Sequence, residues 1–173
     1  MDPSIAIDDV EYLRMVYAYN NGEAKRYFDH LATHPGGTLN PPDTLWPERP
    51  GPGPGWLDHP SFYFRRAEQL RQVMVENGDA AKQVWLTEFG WSTANQAPGY
   101  EYGNYISEQQ QAQYLVRAFE IARTEWPWVG VMLVWNLNFS TITDPSDEKY
   151  SWSVVYADWN PRPAYRALQE MPK

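Results

Sequence analysis

The chain has 173 residues, with 22 acidic and 14 basic side chains and no cysteine. This length is enough to bury the core of one domain, so we expect residues 1–173 to form a single domain with neither disulfide bonds nor a thiolate metal site. The net charge of −8 and the lack of a Lys/Arg cluster argue against nucleic acid as a partner.

The hydropathy pattern contains no candidate membrane segment. The longest apolar run, residues 129–137, is too short to cross a bilayer, and the first residues do not have the pattern of a signal peptide. The sequence therefore predicts a soluble protein with no membrane partner and leaves its localisation unknown.

Aromatic residues are abundant: 9 Trp, 12 Tyr and 6 Phe make up 16% of the chain. Aromatic rings stack on the C–H faces of sugars, so an acidic, Trp-rich chain favours carbohydrate recognition. Burial of the rings in an ordinary core explains the composition equally well.

Hydrophobic periodicity and capping residues predict helices and strands in alternation. Asp8 and Ser107 are placed to cap two of the helices, and Gln110 completes a capping box with Ser107. Strands separated by helices of this length form parallel βαβ units, so the sequence predicts an α/β fold. The predicted elements are, in chain order, a helix over 8–19, a strand over 27–33, a helix over 61–77, a strand over 84–89, a helix from 107, a strand over 130–135 and a helix over 161–170.

Three strands are too few to close a (β/α)8 barrel, which needs eight strands and typically ~250 residues. The chain is therefore either part of a barrel or a small open sheet. A partial barrel leaves two sheet edges and one core face that something must cover. Two copies of the chain supply only six strands, so a dimeric barrel would need further pairing, for example by residues 153–157.

Residues 36–60 are dominated by proline, glycine and polar residues. A loop of this length in a compact domain is usually functional or mobile, and we interpret it as a long mobile loop at the mouth of a site. Candidate sugar-binding rings in this loop and the next one are Trp46, Trp56, Trp91, Tyr100, Tyr102 and Tyr105.

The strands end at His34, Glu88 and Trp135, and in a (β/α)8 barrel the catalytic groups sit at the C-terminal ends of the strands. A carboxylate, a polar ring and an indole platform together suit glycoside hydrolysis. Glu88 ends an apolar strand, where an ionised carboxylate must be hydrogen-bonded, paired or used. The alternative to a catalytic role for Glu88 is a structural ion pair with Arg65 or Arg66.

Four segments together resemble one enzyme family. Residues 86–93, Leu-Thr-Glu-Phe-Gly-Trp-Ser-Thr, resemble the seventh-strand signature of the clan A glycoside hydrolases, which are retaining (β/α)8 enzymes that include cellulases, mannanases and β-xylosidases. Residues 27–35 (Tyr-Phe-Asp-His-Leu-Ala-Thr-His-Pro) are similar to the sixth strand, residues 131–137 (Val-Met-Leu-Val-Trp-Asn-Leu) to the eighth, and residues 160–165 (Asn-Pro-Arg-Pro-Ala-Tyr) to the start of the last helix. The resemblance implies the C-terminal portion of a TIM barrel, with about three βα units and parallel strands.

Carried over by position, the resemblance implies that Glu88 is the catalytic nucleophile, that Trp135 stacks beneath the sugar and that His34 forms hydrogen bonds in the site. It implies no metal and no other cofactor. The alternatives are a core position for Trp135 and a turn-holding role for His34. The further substrate-binding residues that we predict are Trp91, Asn136 and Trp56.

The sequence departs from the family pattern in two places. Gly36 and Gly37 follow the His-Pro pair of the sixth strand, where the family often has an aromatic residue. The Asn-Glu pair that supplies the family's acid/base carboxylate from the fourth strand has no counterpart here. Loop carboxylates that could reach the site are Glu101, Asp144, Asp147 and Glu148, but the resemblance assigns none of them this role. A retaining mechanism needs an acid/base carboxylate about 5–5.5 Å from the nucleophile, so we expect the isolated chain to be inactive.

The leading hypothesis is a glycoside hydrolase-like domain that cleaves O-glycosidic bonds of β-linked glycans by a retaining mechanism when complete. Its substrate is then an oligosaccharide or a glycoside, and its partner is a second copy of the chain or an N-terminal barrel part. The alternative is a non-catalytic carbohydrate-binding domain, or a fragment of a glycosidase barrel that folds by oligomerising.

Overall fold

The computed structural model describes residues 6–48 and 59–172. Helices and strands alternate in the predicted order, and the strands form one parallel sheet in the order β1-β2-β3. The predicted α/β class is confirmed, with three βα units that correspond to part of a (β/α)8 barrel. The elements are α1 Asp9–Ala18, β1 His30–Thr33, α2 Arg66–Glu76, β2 Gln83–Phe89, α3 Glu108–Glu125, β3 Val129–Val134 and α4 Pro163–Glu170.

Two helices begin where their capping residues predict. The Asp8 carboxylate accepts hydrogen bonds from the backbone N–H groups of Val10 and Glu11 at the start of α1. Ser107 and Gln110 form the predicted capping box at the start of α3. These caps satisfy N–H groups that have no partner within the helix, which is why they locate helix starts well.

The strand β1 and the helix α2 both begin later than predicted. The first residue pair of the parallel ladder is His30 with Gln83, so residues 27–29 have no partner in β2. A short 3-10 turn, Pro60–Phe62, precedes α2, and the extended backbone of Tyr63 separates the two. Sequence periodicity does not register these breaks because the apolar side chains continue through them.

The core lies between one face of the sheet and the helices α2 and α3. Val84 and Leu86 of β2 are fully buried on this face. Phe64, just before α2, stacks on Trp126 with ring centroids 5.1 Å apart and contacts Phe89 at 5.8 Å. These aromatic contacts hold the C-terminal end of β2 against the helices. The helix residues that pack in this core include Ala67, Val73, Met74, Leu115, Ala118 and Ile121.

The opposite face of the sheet is open. Ala32, Trp85 and Val131 are register partners on this face, and Trp85 stacks on the ring of His30 at 4.5 Å. Leu133 is 51% exposed. In a closed (β/α)8 barrel this face is the packed interior, so the described residues present the inner surface of an incomplete barrel to solvent.

Residues 153–157 do not extend the sheet. Val155 forms an isolated antiparallel bridge with Pro161, which closes a local turn ahead of α4. The extra pairing that a two-copy barrel would need from this segment is therefore not formed within the described chain. None of the described helices is both long and apolar enough to cross a membrane.

Candidate functional site

The C-terminal ends of β2 and β3 meet at a close backbone contact. The N–H of Trp135 donates to the carbonyl of Phe89 at 2.8 Å. A Cβ atom on Gly90 would lie 2.5 Å from the Trp135 carbonyl oxygen, so only glycine fits at this position. The sequence Glu88-Phe89-Gly90 thus brings the carboxylate and the indole of Trp135 to the same end of the sheet.

Glu88 pairs with His34 across the ends of β1 and β2. The Glu88 Oε2 atom lies 3.5 Å from His34 Nδ1, and the two side chains are 41% and 57% exposed. This separation is at the outer limit of a hydrogen bond, so the pair is loose and open to solvent. Both groups are therefore accessible to a ligand.

The structural alternative for Glu88, an ion pair with Arg65 or Arg66, is wrong. Arg65 is bound by Glu68 and Glu125 on the helix side of the sheet. Arg66 is almost fully buried and is bound by two carboxylates at the start of α1. Both guanidinium groups are thus engaged elsewhere.

Glu88 and His34 lie in a cavity of about 280 Å³ at the C-terminal ends of the strands. This volume is slightly below the roughly 300–1,000 Å³ of typical ligand pockets, so the cavity has room only for a small ligand. Two carboxylates, one histidine and several aromatic rings contribute to its wall. Its lining is His34, Gly36, Glu88, Phe89, Gly90, Tyr100, Tyr102, Trp135, Glu148 and Trp152.

The aromatic part of the wall combines apolar ring faces with a neutral hydroxyl group. Trp135 is half-buried and packs on Phe139, with ring centroids 4.9 Å apart. Burial, followed by the nearby phenol of Tyr100 and carboxylate of Glu148, raises the pKa of the Tyr102 phenol. Tyr102 therefore remains protonated at neutral pH and keeps an O–H group in the cavity wall.

Trp91 does not face this cavity, which differs from the sequence-based expectation. Its side chain is 0% exposed, and its indole N–H donates to the carbonyl of Asn40 at 2.8 Å. The ring packs directly on Gly37, where any side chain would collide with the indole. Of the two glycines that depart from the family pattern, Gly37 makes room for Trp91 and Gly36 lines the cavity.

Asn136 is buried and supports the loop that follows β3. Its Nδ2 group donates to the carbonyl of Lys149 at 3.1 Å. Its Oδ1 atom accepts hydrogen bonds from the backbone of Phe139 and the hydroxyl of Ser153 at 3.1 and 3.0 Å. Asn136 therefore holds the loop behind the cavity wall and is not itself among the lining residues. Trp56 lies outside the described residues.

The loop candidates divide into two groups. Tyr100 and Tyr102 line the cavity, whereas Trp46 packs edge-on against Tyr63 and Tyr105 is exposed elsewhere. The described part of the 36–60 loop is anchored at Thr38, Leu39, Asn40 and Thr44, which are all buried.

Trp152 is a cavity residue that was not predicted from the sequence. It lies far along the chain from β3 and is brought back by hydrogen bonds between loops. The N–H of Asn136 donates to the carbonyl of Trp152 at 3.4 Å, and the N–H of Thr93 donates to that of Ser151 at 3.1 Å. No local pattern marks such a position, because it depends on contacts distant in sequence.

A larger groove of about 740 Å³ runs between α3 and α4. Its lining contains neither aromatic rings nor histidine, and it lies in the outer helix layer, away from the strand ends. Chemistry in this fold belongs at the strand ends, so we place the candidate site at the smaller cavity. Among the described residues, no group of three or more His, Asp or Glu side chains is placed to hold a metal ion.

Neither a protein-family model nor a curated protein matches the sequence. Among solved structures, a family 39 glycoside hydrolase from the gut symbiont Bacteroides cellulosilyticus WH2 is similar, with a TM-score of 0.60 and 20% sequence identity. The likeness covers 86% of this chain and 28% of that chain. At this identity it shows a shared fold, and this chain spans little more than a quarter of that structure.

Proposed function

We propose that this chain is a glycoside hydrolase-like domain in which Glu88 is the nucleophile of a retaining reaction on β-linked glycans. The observation that carries the proposal is the position of Glu88: it lies at the C-terminal end of the central strand of a partial (β/α)8 barrel, in a cavity with His34 and Trp135. Active sites of this fold sit at that end of the strands. The similar fold of a known glycoside hydrolase supports a glycoside hydrolase-like function.

In this reaction a carboxylate oxygen of Glu88 attacks the anomeric carbon of the sugar. The glycosidic C–O bond breaks, and its electron pair leaves with the aglycone oxygen, which takes a proton from an acid. Water then attacks the glycosyl ester, gives its proton to the conjugate base and restores the Glu88 carboxylate. His34 orients the carboxylate, and the Trp135 ring supports the apolar face of the sugar.

The acid/base carboxylate comes from outside the three βα units. A retaining pair needs a separation of about 5–5.5 Å, and the resemblance assigns the second group to a fourth strand that has no match in this chain. Additional strands, either from an N-terminal barrel part or from a second copy, would pair with the edge strands β1 and β3 and cover the exposed sheet face. A melting temperature that rises with protein concentration would support the second copy.

The test uses 2,4-dinitrophenyl β-glycosides of glucose, xylose and mannose. This leaving group departs as a stable anion, so the first step needs no acid. We expect a burst of up to one dinitrophenolate per chain and then slow turnover, since no base activates water. Azide, which attacks without a base, should accelerate the slow phase.

Two variants control this experiment. Glu88→Gln should abolish the burst, and Glu101→Gln, which changes an exposed carboxylate outside the cavity lining, should leave it unchanged. No burst with any of the three glycosides, or a burst that survives in Glu88→Gln, would refute the nucleophile assignment.

A non-catalytic carbohydrate-binding domain is the second candidate. The observation in its favour is that the cavity wall already contains aromatic rings and carboxylates without the acid/base group. Calorimetric titration with cellobiose, xylobiose and mannobiose separates the two candidates. Binding that persists in Glu88→Gln, together with no burst in the wild type, favours the binding domain.

A further inference from the structure

We propose that Glu148 is a second functional carboxylate of this cavity and binds hydroxyl groups of the sugar. The inference rests on the proposed function and identifies a ligand contact on an element other than β1 and β2. Glu148 lies in the loop between β3 and α4 and lines the same cavity as Glu88.

The backbone of Glu148 is fixed by a buried asparagine from another loop. Asn95 is 0% exposed, and its Nδ2 group donates to the carbonyl of Glu148 at 2.9 Å and to the hydroxyl of Ser92 at 2.8 Å. Its Oδ1 atom accepts the N–H of Ala97 at 3.0 Å. Because its side-chain polar atoms all form hydrogen bonds with these neighbours, Asn95 holds the Glu148 peptide group in one place.

The next peptide group is fixed in the same way. Asn136, also buried, donates to the carbonyl of Lys149 at 3.1 Å. Two successive carbonyl groups are therefore held by asparagines from two different loops. Such double anchoring places the Glu148 side chain in the cavity wall on a rigid support, as a binding residue requires.

Gly103 packs closely against Asn95 and Ser92. A Cβ atom on Gly103 would lie 2.9 Å from the Cβ atom of Asn95 and 3.1 Å from the hydroxyl of Ser92. The loop that carries Tyr100 and Tyr102 thus packs directly against the residue that anchors Glu148. The Glu148 carboxylate and the phenols of Tyr100 and Tyr102 therefore lie on loops that pack against each other in the cavity wall.

The Glu148 carboxylate has capacity left for a ligand. It forms an ion pair with Lys149 at 3.6 Å, and the side chains of Glu148 and Lys149 are 29% and 41% exposed. An exposed pair at this distance contributes little to folding. An ionised carboxylate only accepts hydrogen bonds and offers about four lone-pair sites, which suits neighbouring hydroxyls on one sugar ring.

The test is calorimetric titration of the full chain with cellobiose, xylobiose and mannobiose. We expect Glu148→Gln to weaken binding of the best of these disaccharides at least tenfold. The melting temperature should stay the same, because Asn95 and Asn136 bind backbone atoms that the substitution retains. Glu101→Gln and Lys149→Met should each change the dissociation constant less than threefold.

Equal binding by wild type and Glu148→Gln would overturn the inference and leave the Glu88 proposal standing. An equally large loss in Lys149→Met would also overturn it, because the effect would then belong to the ion pair. If the wild type binds none of the three disaccharides, the inference falls, and the dinitrophenolate burst decides the Glu88 proposal separately.

Discussion

The Oε2 atom of Glu88 lies 3.5 Å from Nδ1 of His34, and this contact joins the C-terminal ends of two neighbouring parallel strands. Both side chains are solvent-accessible, so the contact leaves the carboxylate free to meet a ligand. In the proposed reaction this contact limits the orientations of Glu88, whereas an exposed pair at this distance contributes little to folding stability.

Replacing His34 with alanine should therefore change the rate of the proposed reaction more than the stability of the fold. We expect the dinitrophenolate burst to slow roughly 10- to 100-fold, since small misplacements of a reacting group have effects of this size. The free energy of unfolding should fall by about 1 kcal/mol or less, as for other exposed pairs. His34→Gln keeps a hydrogen-bond donor and should recover part of the rate; an unchanged burst rate in His34→Ala would count against the orienting role.

The contact between Gly90 and Trp135 predicts a backbone effect. Gly90→Ala places a methyl group 2.5 Å from the Trp135 carbonyl oxygen, and that oxygen belongs to backbone fixed by hydrogen bonds. We expect a loss of about 1–3 kcal/mol in unfolding free energy, the range for overpacking, measured by urea denaturation. Gly36→Ala is the matched control, because a Cβ there meets no atom within 4 Å. Equal stability of the two variants would contradict the close approach.

Substitution of Trp91 should mainly lower stability, whereas substitution of Trp135 should mainly weaken sugar binding. Trp91→Ala removes a fully buried ring and should cost about 3–5 kcal/mol in unfolding free energy. Trp135→Ala, at a half-buried cavity position, should destabilise the chain less and weaken disaccharide binding at least tenfold in calorimetric titration. Intact binding in Trp135→Ala would remove the indole platform from the proposal.

The ion pair between Asp43 and Arg117 predicts a pH-dependent stability. Arg117 donates to Asp43 at 2.6–3.0 Å, and this hydrogen bonding lowers the pKa of Asp43 from its usual 3.8. A lowered folded-state pKa contributes stability above pH 3.8, and this contribution is lost as the pH falls through the folded pKa. Asp43 is half exposed, so we expect Asp43→Asn to cost only about 0.2–1 kcal/mol at neutral pH.

Urea midpoints measured at neutral and acidic pH test this pair. The difference between wild type and Asp43→Asn should shrink below pH 3.8 as the wild-type carboxyl becomes protonated. Glu170→Gln serves as the exposed-carboxylate control on α4. If the difference in urea midpoint between wild type and Asp43→Asn grew as the pH fell, the pair would not anchor the described part of the 36–60 loop to α3.

The fold was largely predictable because its signals are local. The Asp8 cap and the Ser107–Gln110 capping box are contained within a few residues, and the structure confirms both. The alternation of apolar strands and amphipathic helices likewise gave the order of elements. The start of β1 was not predictable, because it depends on where β2 begins, a property of the partner strand.

The cavity was only partly predictable. Strand ends identify Glu88, His34 and Trp135, because parallel strands bring their carboxyl ends together. The sequence offers Glu148 only as one of four loop carboxylates, because its position, like that of Trp152, depends on loops joined by Asn95 and Asn136, which are far apart in sequence. The burial of Trp91 depends on Gly37, whose small size becomes meaningful only when the two loops are seen together.

The most direct measurement of the central claim is covalent labelling of Glu88. A 2-deoxy-2-fluoro β-glycosyl donor with a 2,4-dinitrophenolate leaving group forms a slowly hydrolysed ester with the nucleophile of a retaining enzyme and needs no acid. We predict one added sugar per chain by intact mass spectrometry, located on Glu88 by peptide mapping and absent in Glu88→Gln. An adduct on another carboxylate, or none with the gluco, xylo and manno donors, would contradict the assignment of Glu88 as the nucleophile.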